Sequence, residues 1–311
     1  MVDTAPATVD LEEILAVEPL PGMPQTAVRL VRLSQDPANG PAEFAVPIEA
    51  DPGLTVQVLR LVNSSYYGFR SQISSVKQAI ALLGIRTIKN FVLWHAIFSV
   101  IPNPRCCLFD LMALWRDSLR RALFARGLSK LLGAPDVEEA FAAGLLQDMA
   151  IPLLARRTPE AYGKFFFARC TSKHRVRLSQ LEQHAFGWNH AMAAGIVARK
   201  WQLPETLVLL IQGHLDVEQQ PVPSSSNLGK LAVAMSALLP ADDDLIWPEL
   251  PKLEAAYAQV RPRQGPSTAD LLRKVDDQFT DMAQLLRVPR PRTTLVDRYH
   301  EAVTANGQTG G

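Results

Sequence analysis

Apolar side chains recur along this chain mostly at three- and four-residue intervals and strict alternation is scarce, so the pattern predicts an all-α protein. Prolines set the breaks. Pro19-Leu20-Pro21-Gly22-Met23-Pro24 is a rigid entry to an amphipathic helix whose apolar face holds Val28, Leu30, Val31 and Leu33, and Asp36-Pro37-Ala38-Asn39-Gly40-Pro41 closes it. Asp51 before Pro52 sets a capping carboxylate beside a proline at the first helical position. The helix that follows carries Leu54, Val58, Leu59, Leu61 and Val62, then runs into Asn63-Ser64-Ser65-Tyr66-Tyr67-Gly68. Ser74-Ser75 caps a helix with Val76, Ala79, Ile80, Leu82 and Leu83; Gly84 ends it, and a longer apolar helix runs from Ile85 to about Val100.

Further helices are expected near 108–132, 136–156, 158–171, 178–186, 189–202 and 204–214. From 215 to 266 the composition turns to Pro, Ser and acidic residues, which predicts a loosely organised connection interrupted by one helix near 227–239. A last helix spans roughly 268–287, started by Ser267-Thr268 and followed by Pro289. Its Leu272, Val275, Phe279, Met282 and Leu286 form one apolar stripe, which calls for a covering surface on the body of the chain or on a second copy.

Composition narrows the function classes. With 32 basic and 31 acidic side chains among 311 residues, no global field draws the chain to nucleic acid or an anionic membrane. Cys106, Cys107 and Cys170 match neither a disulfide framework nor a zinc spacing, and a reducing cytoplasm is the simplest setting. Neither a signal peptide nor a membrane span is read from the sequence. Gly-rich phosphate loops, serine elbows and Cys-His pairs with a local signature are absent.

Three local features bear on chemistry. The turn Asn63, Ser64, Tyr66 and Tyr67 has short polar groups that bond neighbouring backbone and rings that keep a polar end; it reads as a helix-ending turn first and an interaction surface second. Lys164, Arg169, Lys173, Arg175 and Arg177, with Phe165, Phe166, Phe167 and His174 among them, form a basic-aromatic run better read as a solvated face than as a nucleic-acid site. His184 beside Glu182 and Gln183 reads as polar helix surface, and His95 and His174 have no ligand-like partner in sequence. The third feature is Gly144-Leu145-Leu146-Gln147-Asp148. A His-Asp doublet on an apolar helix would offer two ligands to a divalent ion, but here Gln147 has a neutral amide, a poor ligand beside imidazole.

Several strings together resemble the HDOD family, a degenerate relative of HD-domain phosphohydrolases. They are Leu20-Pro21-Gly22-Met23-Pro24, Asp51-Pro52-Gly53-Leu54-Thr55, Leu59 through Gly68, Ala79 through Gly84, Ala140 through Asp148, Phe186 through Ala191, Trp201-Gln202-Leu203-Pro204 and His214, spread over roughly 18–216. The resemblance implies a multi-helix bundle over 18–240, after an N-terminal segment 1–17 and before a C-terminal helical extension with a flexible tail over 241–311. It also implies a bacterial signalling or regulatory role. Placed on the metal positions of the HD relatives, Asp117 and Gln147 stand where histidines are common, Leu215 replaces one of a histidine pair, and Asp148, His190 and His214 remain. Asp117 could simply pair with Arg120 or Arg121, and His190, after Asn189, could serve only in the first turn of its helix.

These readings converge on a non-catalytic, cytoplasmic regulatory protein acting through protein partners, with no cofactor, no bound metal, no membrane contact and no nucleic-acid partner. The pocket is expected to be a solvated vestige, and self-association is expected, if at all, through 268–287. The alternatives are a metal-dependent phosphohydrolase of a nucleotide second messenger and a nucleotide- or nucleic-acid-binding sensor. Metal content and turnover separate the first from the main reading; salt-dependent oligonucleotide binding would mark the second.

Overall fold

The computed structural model describes residues 10–104, 106, 108–171, 176–217, 227–244, 246–286 and 288–308. Among the described residues the chain is helical without strands. Six helices come first: α1 (Leu11–Ala16), α2 (Gln25–Leu33), α3 (Pro41–Glu49), α4 (Pro52–Val62), α5 (Val76–Leu83) and α6 (Ile85–Val100). Asp51 caps α4 by accepting from the Leu54 N–H, and Ser75 caps α5 by accepting from Gln78. Gly84 separates α5 from α6 at φ +85°, a conformation that favours glycine. The structure adds α1 and α3 to the elements expected from sequence.

The centre is α7 (Leu111–Leu132), which packs against α8 (Val137–Leu146) on one side and receives later helices on others. Contact between α7 and α8 is unusually close at Gly144, where a Cβ would lie 2.7 Å from the Ala122 Cα and 3.1 Å from the Arg121 carbonyl carbon. Only a residue without a side chain fits there. The single helix expected over 136–156 is two, because α9 (Ala150–Arg157) starts after a turn at Gln147, Asp148 and Met149. Pro152 accounts for the break: in a continuous helix its ring would meet the Asp148 carbonyl, whereas in the first turn of α9 its missing N–H is harmless.

Then come α10 (Pro159–Thr171), α11 (Leu178–Phe186), α12 (His190–Lys200), α13 (Glu205–Gln212) and α14 (Leu228–Ser236). The Trp201 indole N–H donates to the Pro21 carbonyl at 2.9 Å, tying the end of α12 to the proline-rich entry 180 residues earlier. The expected loose connection over 215–266 also holds α15 (Leu250–Val260), whose Leu250, Leu253 and Tyr257 are buried. Its spacing lay within a Pro- and acid-rich stretch, and its packing on the core outweighs that local composition.

The stripe of α16 (Thr268–Leu286) is covered within the chain. Leu272, Val275, Phe279 and Met282 are each at most 3% exposed, and the helix lies along α7. The Leu286 side chain falls outside the described residues. The C-terminal extension also holds α17 (Leu295–Gln308), a helix not placed from sequence, which packs on α16. Its first N–H groups, of Leu295 and Val296, donate to the Asp276 carboxylate at 3.0 Å each. No helix of the described residues is by itself long and apolar enough to cross a membrane.

Candidate functional site

Helix ends converge on a cavity of about 120 Å³. Asp117 and Arg121 reach it from one face of α7, four residues apart; Asp148 comes from the turn that Pro152 enforces. His190 is the first residue of α12, where Asn189 accepts from the Ala191 and Met192 N–H groups, and His214 follows the end of α13. Gln147 and Leu215 also line the cavity. The structure thus brings together all five residues carried over by position, Asp117, Gln147, Asp148, His190 and His214.

The pocket is not the solvated vestige expected from sequence. Asp148 is 4% exposed, His190 5%, His214 1% and Gln147 0%. Asp148 Oδ1 lies 3.4 Å from His190 Nε2 and 3.7 Å from His214 Nε2, and the two Nε2 atoms are 3.3 Å apart. Asp148 Oδ2 accepts a hydrogen bond from Arg121. Each imidazole is turned inward from behind. His190 Nδ1 bonds Glu182 Oε2 at 2.6 Å, and His214 Nδ1 bonds the Ile211 carbonyl at 2.7 Å. Glu182 also accepts from the His190 backbone N–H and, on its other oxygen, from the Tyr162 hydroxyl at 2.6 Å.

Burial and charge set opposite protonation states in the two histidines. Burial would lower His190, but the Glu182 carboxylate and the bond to Asp148 outweigh it and push the imidazole up to about 9. Burial drives His214 down to about 3, against Asp148 and helped by the charge of His190. Asp148 itself would be raised by burial, yet the Arg121 guanidinium and His190 hold it far below the usual carboxylate range. Burial also pushes Asp117 up to about 7, opposed by Arg121, Arg120 and Arg116. Asp117 does not make the expected simple pair: it accepts the Asp242 backbone N–H at 3.1 Å, while Asp242 pairs with Arg116 at 2.9 Å and Arg120 at 3.6 Å.

The remaining sequence candidates fall elsewhere. Asn63 clasps Ile73, accepting its N–H at 2.7 Å and donating to its carbonyl at 2.8 Å, while Ser64 donates to the Leu61 carbonyl. The Tyr66 hydroxyl accepts from Arg126 at 2.6 Å, and Tyr67 lies edge-on against Tyr66. Those bonds build the turn itself. In the basic run, Phe165 and Phe166 are buried and Phe167 is 60% exposed. Arg169 faces Asp244, and Arg177 faces Glu249 while donating to the Ala237 carbonyl, so both arginines form the cavity rim and not a free basic face. Lys173, His174 and Arg175 lie outside the described residues.

Sequence reasoning missed three participants. Glu182, assigned to a polar surface beside His184, is 0% exposed. The usable signal was its spacing eight residues before His190 across Gly187, which folds the end of α11 back onto the start of α12. Tyr162 and the Arg121–Asp148 contact have no local signature, because each joins residues brought together only by helix packing.

The donor set fits one divalent ion in size. A point equidistant from Asp148 Oδ1 and the two Nε2 atoms lies about 2 Å from each, the length of a zinc–nitrogen or zinc–oxygen bond. Glu182 and the Ile211 carbonyl stand where partners that orient ligating histidines are usually found. An ion held there by Asp148, His190 and His214 would supply Lewis acidity and an acidified water to a phosphate ester. Beside these donors, Gln147 Oε1 lies 3.3 Å from the Ser236 hydroxyl, and its Nε2 is buried without a hydrogen-bond partner among the described residues.

Comparison with known proteins agrees with this architecture. The HDOD domain family model matches residues 20–217, and the chain belongs to the HDOD family. An HDOD domain protein from Geobacter sulfurreducens superposes with a TM-score of 0.67 at 22% identity, covering 88% of this chain and 93% of that one. A candidate phosphohydrolase from Shewanella amazonensis gives 0.67 at 22% identity, with 90% and 98% covered. A candidate signal transduction protein from Marinobacter aquaeolei gives 0.64 at 21%, with 90% and 62% covered. These likenesses establish the fold. In sequence the chain is 20% identical over 249 residues to an uncharacterized protein of Treponema pallidum, spanning 80% of this chain and about half, 48%, of that relative.

Proposed function

We propose that this HDOD protein is a non-catalytic bacterial signalling protein that works in the cytoplasm through protein partners docking on its helical surfaces. The observation that carries the reading is the cavity. At about 120 Å³ it is small beside the roughly 300–1,000 Å³ of typical small-molecule sites, which weighs against a cyclic dinucleotide beside Asp148. Gln147 and Leu215, both on its wall, bring no imidazole or carboxylate to the three donors. The test is incubation of the purified protein with cyclic dinucleotides and manganese or iron, followed by chromatography. No turnover is expected; turnover abolished by Asp148→Ala would overturn the reading. Affinity capture from the native cell, with mass spectrometry, would then identify the partner.

One observation favours a second reading, a metal-dependent phosphohydrolase: the donor spacings of 3.3, 3.4 and 3.7 Å suit an ion. That reading requires the cavity to widen for substrate, and the same assay decides it.

A further inference from the structure

The cluster presents a puzzle of its own. Three donors stand at bonding distance from a common point, and both imidazoles are locked with Nε2 facing it. Geometry is therefore not what this cluster lacks. What differs from a simple ligand set is a fixed positive charge already bonded to it.

We propose that Arg121 is a built-in cation that takes the place of a metal ion at the Asp148–His190–His214 cluster, closing it to divalent ions in the native chain. The inference rests on the non-hydrolytic reading above and adds the residue responsible. Arg121 donates to Asp148 Oδ2, the oxygen on the other side of the carboxylate from the imidazoles. Its side chain is 15% exposed, so water does little to screen it from an ion at Oδ1. A guanidinium also cannot make room by shedding a proton, as a histidine or lysine would.

The fold also positions the segment that carries Arg121. Its backbone is pressed onto α8 at Gly144, the residue whose missing Cβ lets the two helices meet, and the preceding turn of α7 is held at Asp117 by the Asp242 N–H. Gly144 thus has a second consequence beyond packing: it seats the guanidinium over Asp148, four residues further on.

The test uses cobalt(II), whose visible absorption reports coordination without any substrate. Full-length wild type, Arg121→Met, Arg121→Gln and Arg121→Lys are titrated with cobalt, and bound metal is counted after gel filtration, with circular dichroism to confirm folding. Wild type is expected to show no one-equivalent site, and Arg121→Lys to gain one only as pH rises, because its ammonium can shed a proton. Arg121→Met and Arg121→Gln are expected to gain one, at least 100-fold tighter than wild type, and to lose it when Asp148→Asn is added. Cobalt bound by wild type as tightly as by the neutral variants would overturn the assignment, as would folded neutral variants that bind none. If both neutral variants fail to fold, the wild-type titration still decides, because stoichiometric binding there refutes a closed cluster. Cobalt binding by wild type without turnover would sink only the role of Arg121, whereas turnover by wild type would sink the non-hydrolytic reading.

Discussion

Two buried charge clusters hang on neighbouring faces of α7, and they are built differently. On one side Arg121 meets Asp148, His190 and His214 around a cavity, with Glu182 and Tyr162 behind. On the other, Arg116 and Arg120 grip Asp242, whose Oδ1 accepts the Arg292 N–H at 2.8 Å, and Arg120 donates to the Thr293 carbonyl. The second cluster is built from arginines and a carboxylate, with no histidine among them, and each contact ties residues beyond 240 to the bundle. It is a fastener. The first contains two histidines in opposite protonation states around open space, an arrangement that structure alone does not require.

The largest effect should come from removing what the fastener holds. Truncation after Pro266 would uncover the α7 surface now packed by Leu271, Leu272, Val275, Phe279 and Met282. At roughly 1.5–3 kcal/mol for each large side chain, the loss is comparable with the roughly 5–15 kcal/mol that keeps a typical domain folded. Thermal melts with solution mass should show a sharply lower melting temperature and no change of oligomeric state. Conversion of a dimer to a monomer would instead place the stripe between two copies.

Next come the charge clusters. Asp148→Ala leaves Arg121 buried without its carboxylate and should destabilise by about 3–5 kcal/mol. That equals or exceeds the roughly 2–5 kcal/mol expected for Leu145→Ala, which only opens a cavity. Asp242→Ala should cost a similar amount while leaving the spectroscopic environment of the histidines unchanged. Urea denaturation of the three, with histidine NMR, separates the clusters; an Asp148→Ala protein as stable as wild type would mean the pocket is wet after all.

How far sequence reaches differs between these regions for a physical reason. Helices with their own start signals were legible: Asp51-Pro52 for α4, Asn189 for α12 and Ser267 for α16, where Ser267 Oγ accepts the Asp270 N–H. Helix α17 was not, because Asp276 on another helix supplies its initiating carboxylate. Resemblance located Asp148, His190 and His214, but their partners lie 27 residues away at Arg121 and 20 residues apart at Tyr162 and Glu182. Contacts of that range follow from packing at Gly144 and Pro152, and no local periodicity encodes them.

A smaller effect is the pH dependence of the cavity cluster. Between the ordinary histidine value of 6.5 and about 9, folded His190 holds a proton that the unfolded chain does not. Its contribution is therefore complete below 6.5 and is lost as pH rises through 9, about 3 kcal/mol for a shift of that size. His214, depressed to about 3, acts on the acid side: the unfolded chain takes up a proton below 6.5 that the folded one refuses, so stability falls as pH drops. Asp117, raised to about 7, opposes that fall between 7 and its ordinary 3.8. Above the range in which Asp117 titrates, near 7, the alkaline limb has a single owner in this cluster, so His190→Gln should flatten stability as pH rises through 9. A limb as steep in the variant as in wild type would show that His190 is not protonated in the folded state.

The smallest effects belong to the Asn63–Gly68 turn, which serves as a control because it carries family-matching residues yet lies outside both clusters. Asn63 bonds both backbone groups of Ile73, which is 4% exposed, so Asn63→Ala strands two polar groups and should cost about 1–3 kcal/mol. Ser65 makes one exposed bond to Asp281 of α16, at 3.0 Å, and Ser65→Ala should cost no more than about 0.5 kcal/mol, since water replaces the partner. Denaturation of the two variants side by side measures the difference. A Ser65 variant as damaged as the Asn63 variant would mean that this hydroxyl, and not only the α7 clusters, fastens the C-terminal helices to the bundle.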